Sequence, residues 1–180
     1  YSPSSNGEQY QLQMISWVSL IGLGEELTTL DAEQTSRVLT FENVVGVTIS
    51  SLTIQNGNAN GGYLNSRGGG IYCYSSNTIL DNVTIFGNSA IDGDQSLGGG
   101  MYCSNSNPTL TNVIIIGNSA SIGGGLVLDQ SNIPIFSNVV ISGNSAIVGG
   151  GIAMNECSTF LTNMIIKDNW ASYASGIYLE

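Results

Sequence analysis

Few residues in this 180-residue chain are suited to chemistry, and one reactive type is missing altogether. The sequence contains no histidine, and its cationic residues are Arg37, Arg67 and Lys167. Without an imidazole group, the chain cannot form a Ser/His/Asp or Cys/His triad, or a histidine-ligated zinc or haem site. Thirteen acidic residues against three basic ones give a net charge of −10, which disfavours binding to nucleic acid or to anionic membranes.

Aromatic and charged side chains are concentrated between residues 63 and 102, where they could bind a sugar. Aromatic faces offer a flat apolar surface for a sugar ring, and polar groups beside them can bond its hydroxyls. The candidate ligand-binding residues are Tyr63, Arg67, Tyr72, Tyr74, Asp92, Asp94 and Tyr102. The alternative is structural, because tyrosines on adjacent strands stabilise each other by cross-strand pairing without any ligand.

The turn formed by Asp92, Gly93 and Asp94 is the candidate metal site. Its two carboxylates are the hard oxygen ligands that calcium prefers. Two carboxylates are too few for a tight site, and the further acidic positions of an EF-hand loop are missing. The alternative is a solvated polar turn, so we expect no cofactor apart from this weak calcium candidate.

Groups for catalysis are harder to find. A lyase that acts on a uronate needs a base and cations near the substrate carboxylate, and Arg67 alone lies near the candidate site. A glycoside hydrolase needs two carboxyl groups. Asp92 and Asp94 are the nearest such pair in sequence, and Asp129 and Glu156 are more distant partners. The sequence therefore favours a non-catalytic protein.

The three cysteines are an odd number, which excludes a complete disulfide framework within this chain. Cys73 and Cys103 occupy the same inward position of successive repeats, whereas Cys157 lies in a turn. We expect the first two to be stacked, buried thiols that act as small apolar fillers. A disulfide between them is the alternative, if the neighbouring strands permit its geometry.

An internal repeat organises the chain. Gly-Gly-Gly begins at Gly68, Gly98, Gly123 and Gly149, with spacings of 30, 25 and 26 residues. Between these markers apolar and polar residues alternate in three short runs per unit, a period of two that is typical of strands. Stacked units of this kind predict an all-β fold, a parallel β-helix solenoid with three short strands per coil of about 25 residues.

Two asparagine columns recur in step with the glycines. Asparagine tolerates the left-handed backbone conformation, and its amide can bond the identical amide one coil away. The first predicted ladder consists of Asn82, Asn112, Asn138 and Asn163. The second consists of Asn88, Asn118, Asn144 and Asn169. We expect one domain over residues 1–180, with irregular first coils over 1–50 and regular coils over 51–180, as a fragment of a longer chain.

These motifs resemble two known groups. The order Ile-x-x-Asn, Ser-Ala and Gly-Gly-Gly-Ile, seen at Ile85/Asn88 and Ile115/Asn118, resembles the repeat of chlamydial polymorphic outer membrane proteins, with Ile where that family has Phe. Val18-Ser-Leu-Ile-Gly, Thr29-Leu-Asp and Leu52-Thr-Ile look like the first coils of right-handed β-helix proteins of the pectate-lyase-like superfamily. The resemblance implies a right-handed parallel β-helix, secreted or displayed on a bacterial surface, and related enzymes use a groove along the first strand.

The function that we expect is a non-catalytic extracellular or cell-surface module for adhesion, carbohydrate binding or structural spacing. A polysaccharide lyase or glycoside hydrolase acting in the groove is one alternative. Another is a self-assembling fibre subunit, since Ile114, Val140 and Ile165 form an outward aliphatic stripe and β-helix ends expose unpaired strand edges. Expected partners are a polysaccharide or cell-surface glycan, or further copies of the chain; membrane insertion is not expected, because the longest aliphatic run is only Val113–Ile116.

Overall fold

The computed structural model describes residues 1–61, 66–91, 95–131 and 133–180. It is a parallel β-solenoid of about six turns with about 26 residues per turn, and only 2% of the chain is helical. The all-β parallel β-helix predicted from the repeat is thus confirmed. No helix among the described residues has the length and apolar character needed to span a bilayer.

Eighteen short strands and one helical turn make up the described chain. The helix α1 spans Pro3–Asn6. The strands, in chain order, are β1 (Leu12–Gln13), β2 (Leu20–Ile21), β3 (Thr29–Asp31), β4 (Leu39–Glu42), β5 (Thr48–Gln55), β6 (Asn58–Ala59), β7 (Ile71–Tyr74), β8 (Ile79–Phe86), β9 (Ser89–Ala90), β10 (Met101–Ser104), β11 (Thr109–Ile116), β12 (Leu126–Asp129), β13 (Ile135–Ser142), β14 (Ser145–Val148), β15 (Ile152–Asn155), β16 (Met164–Lys167), β17 (Trp170–Tyr173) and β18 (Ile177–Leu179).

The strands stack into three sides of the solenoid. Sheet A has the order β1-β4-β7-β10-β12-β15-β18, and sheet B has the order β2-β5-β8-β11-β13-β16, with β3 also paired to β5. The third side consists of the pairs β6-β9 and β14-β17, linked by single bridges such as that between Ser89 and Ser119. All pairs are parallel, so equivalent residues of successive repeats lie side by side.

In four of the coils, two of the three predicted runs are joined into one bent strand. The sheet B strands β5, β8, β11 and β13 are eight residues long. Each of the last three contains one asparagine in the left-handed conformation, with φ between 52° and 55° at Asn82, Asn112 and Asn138. Asparagine accepts this conformation at low cost, so the chain turns a corner here without leaving the sheet.

The interior of the solenoid is a column of stacked apolar side chains. On sheet A, Ile71 and Cys73 point inward and lie beside Met101 and Cys103 of the next coil, all fully buried. Burying one such aliphatic side chain stabilises the fold by about 1.5–3 kcal/mol. Because each coil contributes the same inward positions, the repeat forms one continuous core along the axis.

The glycine triplets lie where the third side turns into sheet A. The first glycine has a positive φ, as at Gly98 (65°), which glycine adopts without steric cost. The second approaches the neighbouring coil closely, since a Cβ on Gly99 would lie 2.3 Å from the carbonyl oxygen of Ser119. Any side chain at this position would separate the coils, and this accounts for the glycine repeat.

Candidate functional site

The second asparagine column is a buried hydrogen-bonded ladder. The backbone N–H and Nδ2 of Asn88 both donate to Oδ1 of Asn118, at 2.9 and 3.0 Å. Asn118 donates in the same way to Asn144, and Asn144 to Asn169, over 2.9–3.0 Å. Each Nδ2 also donates to a backbone carbonyl, such as that of Ile85 for Asn118. The amides therefore satisfy one another inside the solenoid, and their role is structural.

The first asparagine column lies on the surface, where the sheet B strands bend. Asn82, Asn112, Asn138 and Asn163 are exposed and have φ between 52° and 55°. Asn138 Nδ2 donates to Asn112 Oδ1 at 2.8 Å, and this is the one side-chain bond that the structure gives within these four described residues. Their shared feature is thus the backbone conformation rather than a continuous ladder.

A stack of aromatic rings and guanidinium groups lies on the outer face of sheet A. The rings of Tyr72 and Tyr102 are 5.7 Å apart and nearly parallel, with an interplanar angle of 10°. The guanidinium of Arg37 lies 4.8 Å from the Tyr72 ring centre, and that of Arg67 lies 5.2 Å from the Tyr102 ring centre. These cation–π contacts place two of the three cationic residues of the chain on this face.

The candidate tyrosines differ greatly in exposure. Tyr74 is 40% exposed, Tyr72 is half-buried and Tyr102 is only 1% exposed. Tyr102 points away from the solenoid core, but Leu97 and Ile122, from the corner before sheet A, are part of the apolar cluster around it. The outer face therefore has a small apolar cluster of its own, which strand alternation does not predict.

The hydroxyl of Tyr102 belongs to a network of hydrogen bonds around Asp129. It donates to Asp129 Oδ2 at 2.9 Å, and Ser104 Oγ donates to the same oxygen at 3.3 Å. Asn155 Nδ2 donates to Asp129 Oδ1 at 2.9 Å, and Arg67 Nη1 lies 3.4 Å from the Tyr102 hydroxyl. Burial raises the pKa of Tyr102 well above its usual range, and the charge of Asp129 adds to this effect.

A pocket of about 190 Å³ opens beside this network. Its apolar part comes from Leu97, Tyr102, Ile122, Val127, Ala153, Met154 and Tyr178. Its polar part comes from Arg67, Asp129, Asn155 and Glu180. A lining that combines aromatic and aliphatic groups with charged and amide groups suits a small, partly apolar and hydroxyl-rich ligand.

Only part of the predicted site contributes to this pocket. Arg67 and Tyr102 line it, and Tyr72 supports Tyr102 by stacking. Tyr63, Asp92 and Asp94 lie outside the described residues, and so does the calcium candidate formed by the two aspartates. Among the residues that the structure does describe, no three carboxylate or thiol groups converge as a metal site.

Sequence reasoning missed the residues that complete the pocket from later coils. Val127, Ala153 and Tyr178 occupy the same outward position as Tyr102 in successive strands of sheet A. The signal was present in the repeat, because stacking that position over all the coils would have placed them in one row. Leu97 also had a signal in the repeat, because Leu97, Ile122 and Val148 each directly precede a glycine triplet and are bridge partners in successive coils.

The carboxyl groups considered for catalysis do not all meet in the pocket. Asp129 lines it, together with Glu180, which the sequence analysis did not single out. Glu156 instead lies in the turn after β15, where its Oε2 accepts a hydrogen bond from Gln130 at 3.0 Å. Hydrogen-bond donors from three residues occupy the carboxylate of Asp129, so it is arranged to accept hydrogen bonds and to orient its neighbours.

The cysteines are free thiols rather than a disulfide. Cys73 and Cys103 are register partners in sheet A and both are fully buried, whereas Cys157 is half-buried. Burial raises the pKa of Cys103 well above its usual value, and contact with Cys73 adds to the shift. Such thiols are unreactive in the folded protein, in line with a packing role.

The chain matches no protein-family model, no curated protein and no solved structure. The fold is therefore established by the coordinates themselves, as a parallel β-solenoid with a pocket on the outer face of sheet A.

Proposed function

We propose that this protein is a non-catalytic extracellular or cell-surface module that binds a neutral carbohydrate in the pocket on sheet A. The observation that carries the proposal is the pocket itself, which the half-buried Tyr178 and the buried Tyr102 and Val127 line beside Asp129 and Asn155. A sugar also combines apolar and polar groups, since its ring carbons are apolar and its hydroxyls donate and accept hydrogen bonds.

Charge supports a neutral rather than an acidic ligand. The chain carries a net charge of −10, and two acidic residues, Asp129 and Glu180, line the pocket against one cation, Arg67. A polyanionic glycan would be repelled by the net charge of the protein and by the acidic residues that line the pocket. A neutral glycan meets no such barrier.

The proposed location and relationship come from the repeat. Its resemblance to chlamydial polymorphic outer membrane proteins and to pectate-lyase-like β-helices supports a protein that is secreted or displayed on a bacterial surface. The same architecture carries enzymes, adhesins and spacers, so the pocket and not the fold supports binding.

Binding and chain cleavage should be measured together. The protein is incubated with a panel of neutral and acidic polysaccharides, with and without calcium, and both the bound protein and the length of the sugar chains are followed. We expect binding to a neutral member without shortening. Shortened chains would make the protein a polysaccharide lyase or hydrolase, and absence of binding to every member would refute the proposal.

Variants connect the binding to the pocket. Tyr178→Ala removes an aromatic wall, and we expect it to weaken binding at least about tenfold, the equivalent of about 1.4 kcal/mol. Phe160→Ala is the matched control, because Phe160 is an aromatic residue that is 87% exposed and lies outside the pocket. Equal losses in the two variants would show that the glycan binds elsewhere.

A further inference from the structure

The outer face of sheet B carries a row of exposed and half-buried apolar residues. We call it the outer stripe, and its members are Phe86, Ile114, Ile116, Val140 and Ile165. Phe86 is 46% exposed, Ile114 38% and Ile165 55%. Single exposed apolar residues are common, but a contiguous row on neighbouring strands is typical of a surface that another molecule covers.

A loop already covers the start of this face. Residues 22–28 leave the sheet between β2 and β3, and the carbonyl of Glu25 accepts a hydrogen bond from Thr53 Oγ1 at 2.8 Å. Glu25 Oε1 accepts another from Thr84 Oγ1 at 2.7 Å. Thr53 is consequently only 8% exposed. One end of the face is therefore raised by a loop, and the other end is bare.

The raised loop presents apolar side chains to solvent. Leu23 is 86% exposed and Leu27 is 76% exposed, so neither packs on its own sheet. Leu23 and Leu27 therefore need an apolar partner surface outside their own sheet. Val140 and Ile165, at the bare end of the face, are such a surface. The two ends of one molecule thus match in polarity, because both expose apolar side chains.

The two ends are also complementary in charge. Glu25 and Glu26 lie on the raised loop, whereas Lys167, the single lysine of the chain, is exposed beside Ile165 at the bare end. The two arginines lie over the tyrosines of sheet A, away from this face. The bare end therefore carries one cation, with the exposed Asp168 next to it in the chain, and the raised loop carries two carboxylates.

The strand register places the two ends of the face at equal distances from its middle. Thr53, Thr84, Ile114, Val140 and Ile165 are successive partners across sheet B. Ile114 is the middle member, with two coils on each side. Since neighbouring strands lie about 4.8 Å apart, the charged ends are each roughly 10 Å from this centre.

We propose that two copies of this chain associate face to face through the outer stripe, with antiparallel solenoid axes and a two-fold axis close to Ile114. The leucines of each raised loop then cover the bare end of the other copy, and each Lys167 meets the partner's acidic loop. Both copies use the same surface, so the contact closes at a dimer and does not extend into a fibre.

The mass of the full chain in solution tests this arrangement. Light scattering should give twice the chain mass of 18.8 kDa for the unaltered protein and the single-chain mass for Ile114→Lys. Ile135→Lys is the matched control, because Ile135 is 59% exposed on the same sheet but lies outside the stripe, and it should remain dimeric. A monomer for the unaltered chain, or a mass that grows with concentration beyond two copies, would overturn the proposal.

Charge exchange tests the orientation without disturbing the core. Lys167→Glu and Glu26→Lys should each weaken the dimer, by about tenfold, because each places like charges together. The double variant should return to within about twofold of the original affinity, since it restores opposite charges across the two-fold axis. Additive losses in the double variant, with circular dichroism unchanged, would refute the antiparallel arrangement.

Discussion

Replacing Asn118 by alanine should destabilise the solenoid strongly, although this residue touches no ligand. Asn118 is fully buried, and its amide takes part in four hydrogen bonds: two from Asn88, one to Ile85 O and one to Asn144 Oδ1. The truncation leaves the backbone N–H of Asn88 and one of its amide hydrogens buried without an acceptor. Each orphaned donor costs about 1–3 kcal/mol, so we expect a loss of about 2–6 kcal/mol in the free energy of unfolding.

Urea denaturation followed by far-ultraviolet circular dichroism measures this loss. The matched control is Asn112→Gly, since Asn112 is exposed, forms one side-chain bond to Asn138, and has a φ of 52° that glycine also accepts. We expect the control to cost at most about 1 kcal/mol. A loss below about 1 kcal/mol for Asn118→Ala, or one equal to that of the control, would refute the view that the buried amides hold the coils together.

Three further outcomes follow from the packing and from the pKa values. Gly99→Ala should cost about 1–3 kcal/mol because its Cβ would meet the next coil, whereas Gly176→Ala, with open space around it, should be nearly neutral in the same denaturation assay. Cys73 and Cys103 should resist an aromatic disulfide reagent until the protein unfolds, and their labelling in the native state would contradict their burial. Burial and the charge of Glu8 raise the pKa of Tyr10 from 10.0 to about 12. The stability linked to this group is therefore complete below pH 10 and is lost as the pH rises through 12, so Tyr10→Phe should have a smaller drop in melting temperature over that range, and an unchanged drop would contradict the assignment.

The solenoid explains how a chain with few charged residues and no histidine can present a pocket lined by both apolar and polar groups. Each coil adds one residue to the outward row that contains Tyr102, so Tyr102, Val127 and Tyr178 come together although they are far apart in sequence. The Arg67 and Tyr102 pair closes one side of the same pocket. The proposed carbohydrate site and the proposed dimer surface lie on different sheets, so each can be altered without the other.

The sequence by itself determined the parallel β-helix, because a solenoid has local rules that repeat. The glycine triplets mark the close approach at Gly99, and period-two alternation assigns residues such as Ile71 to the core. The spacing of Asn88 and Asn118 places them one coil apart, where their amides bond. In each case the physical cause lies within one repeat or between adjacent ones, so it is visible as a sequence pattern.

The tertiary structure alone decided what lies on the outside of the coils. Alternation indicates that Tyr102 points away from the core, but it cannot show that Leu97 and Ile122 cover the ring or that Asp129 accepts its hydroxyl hydrogen. It also cannot show that Glu25 crosses the face of sheet B to reach Thr84. The contact of Glu25 depends on the path of an irregular loop that repeats no pattern. The contacts of Tyr102 join residues of different coils, and their packing depends on how the corner before sheet A lies against the outer face of the sheet.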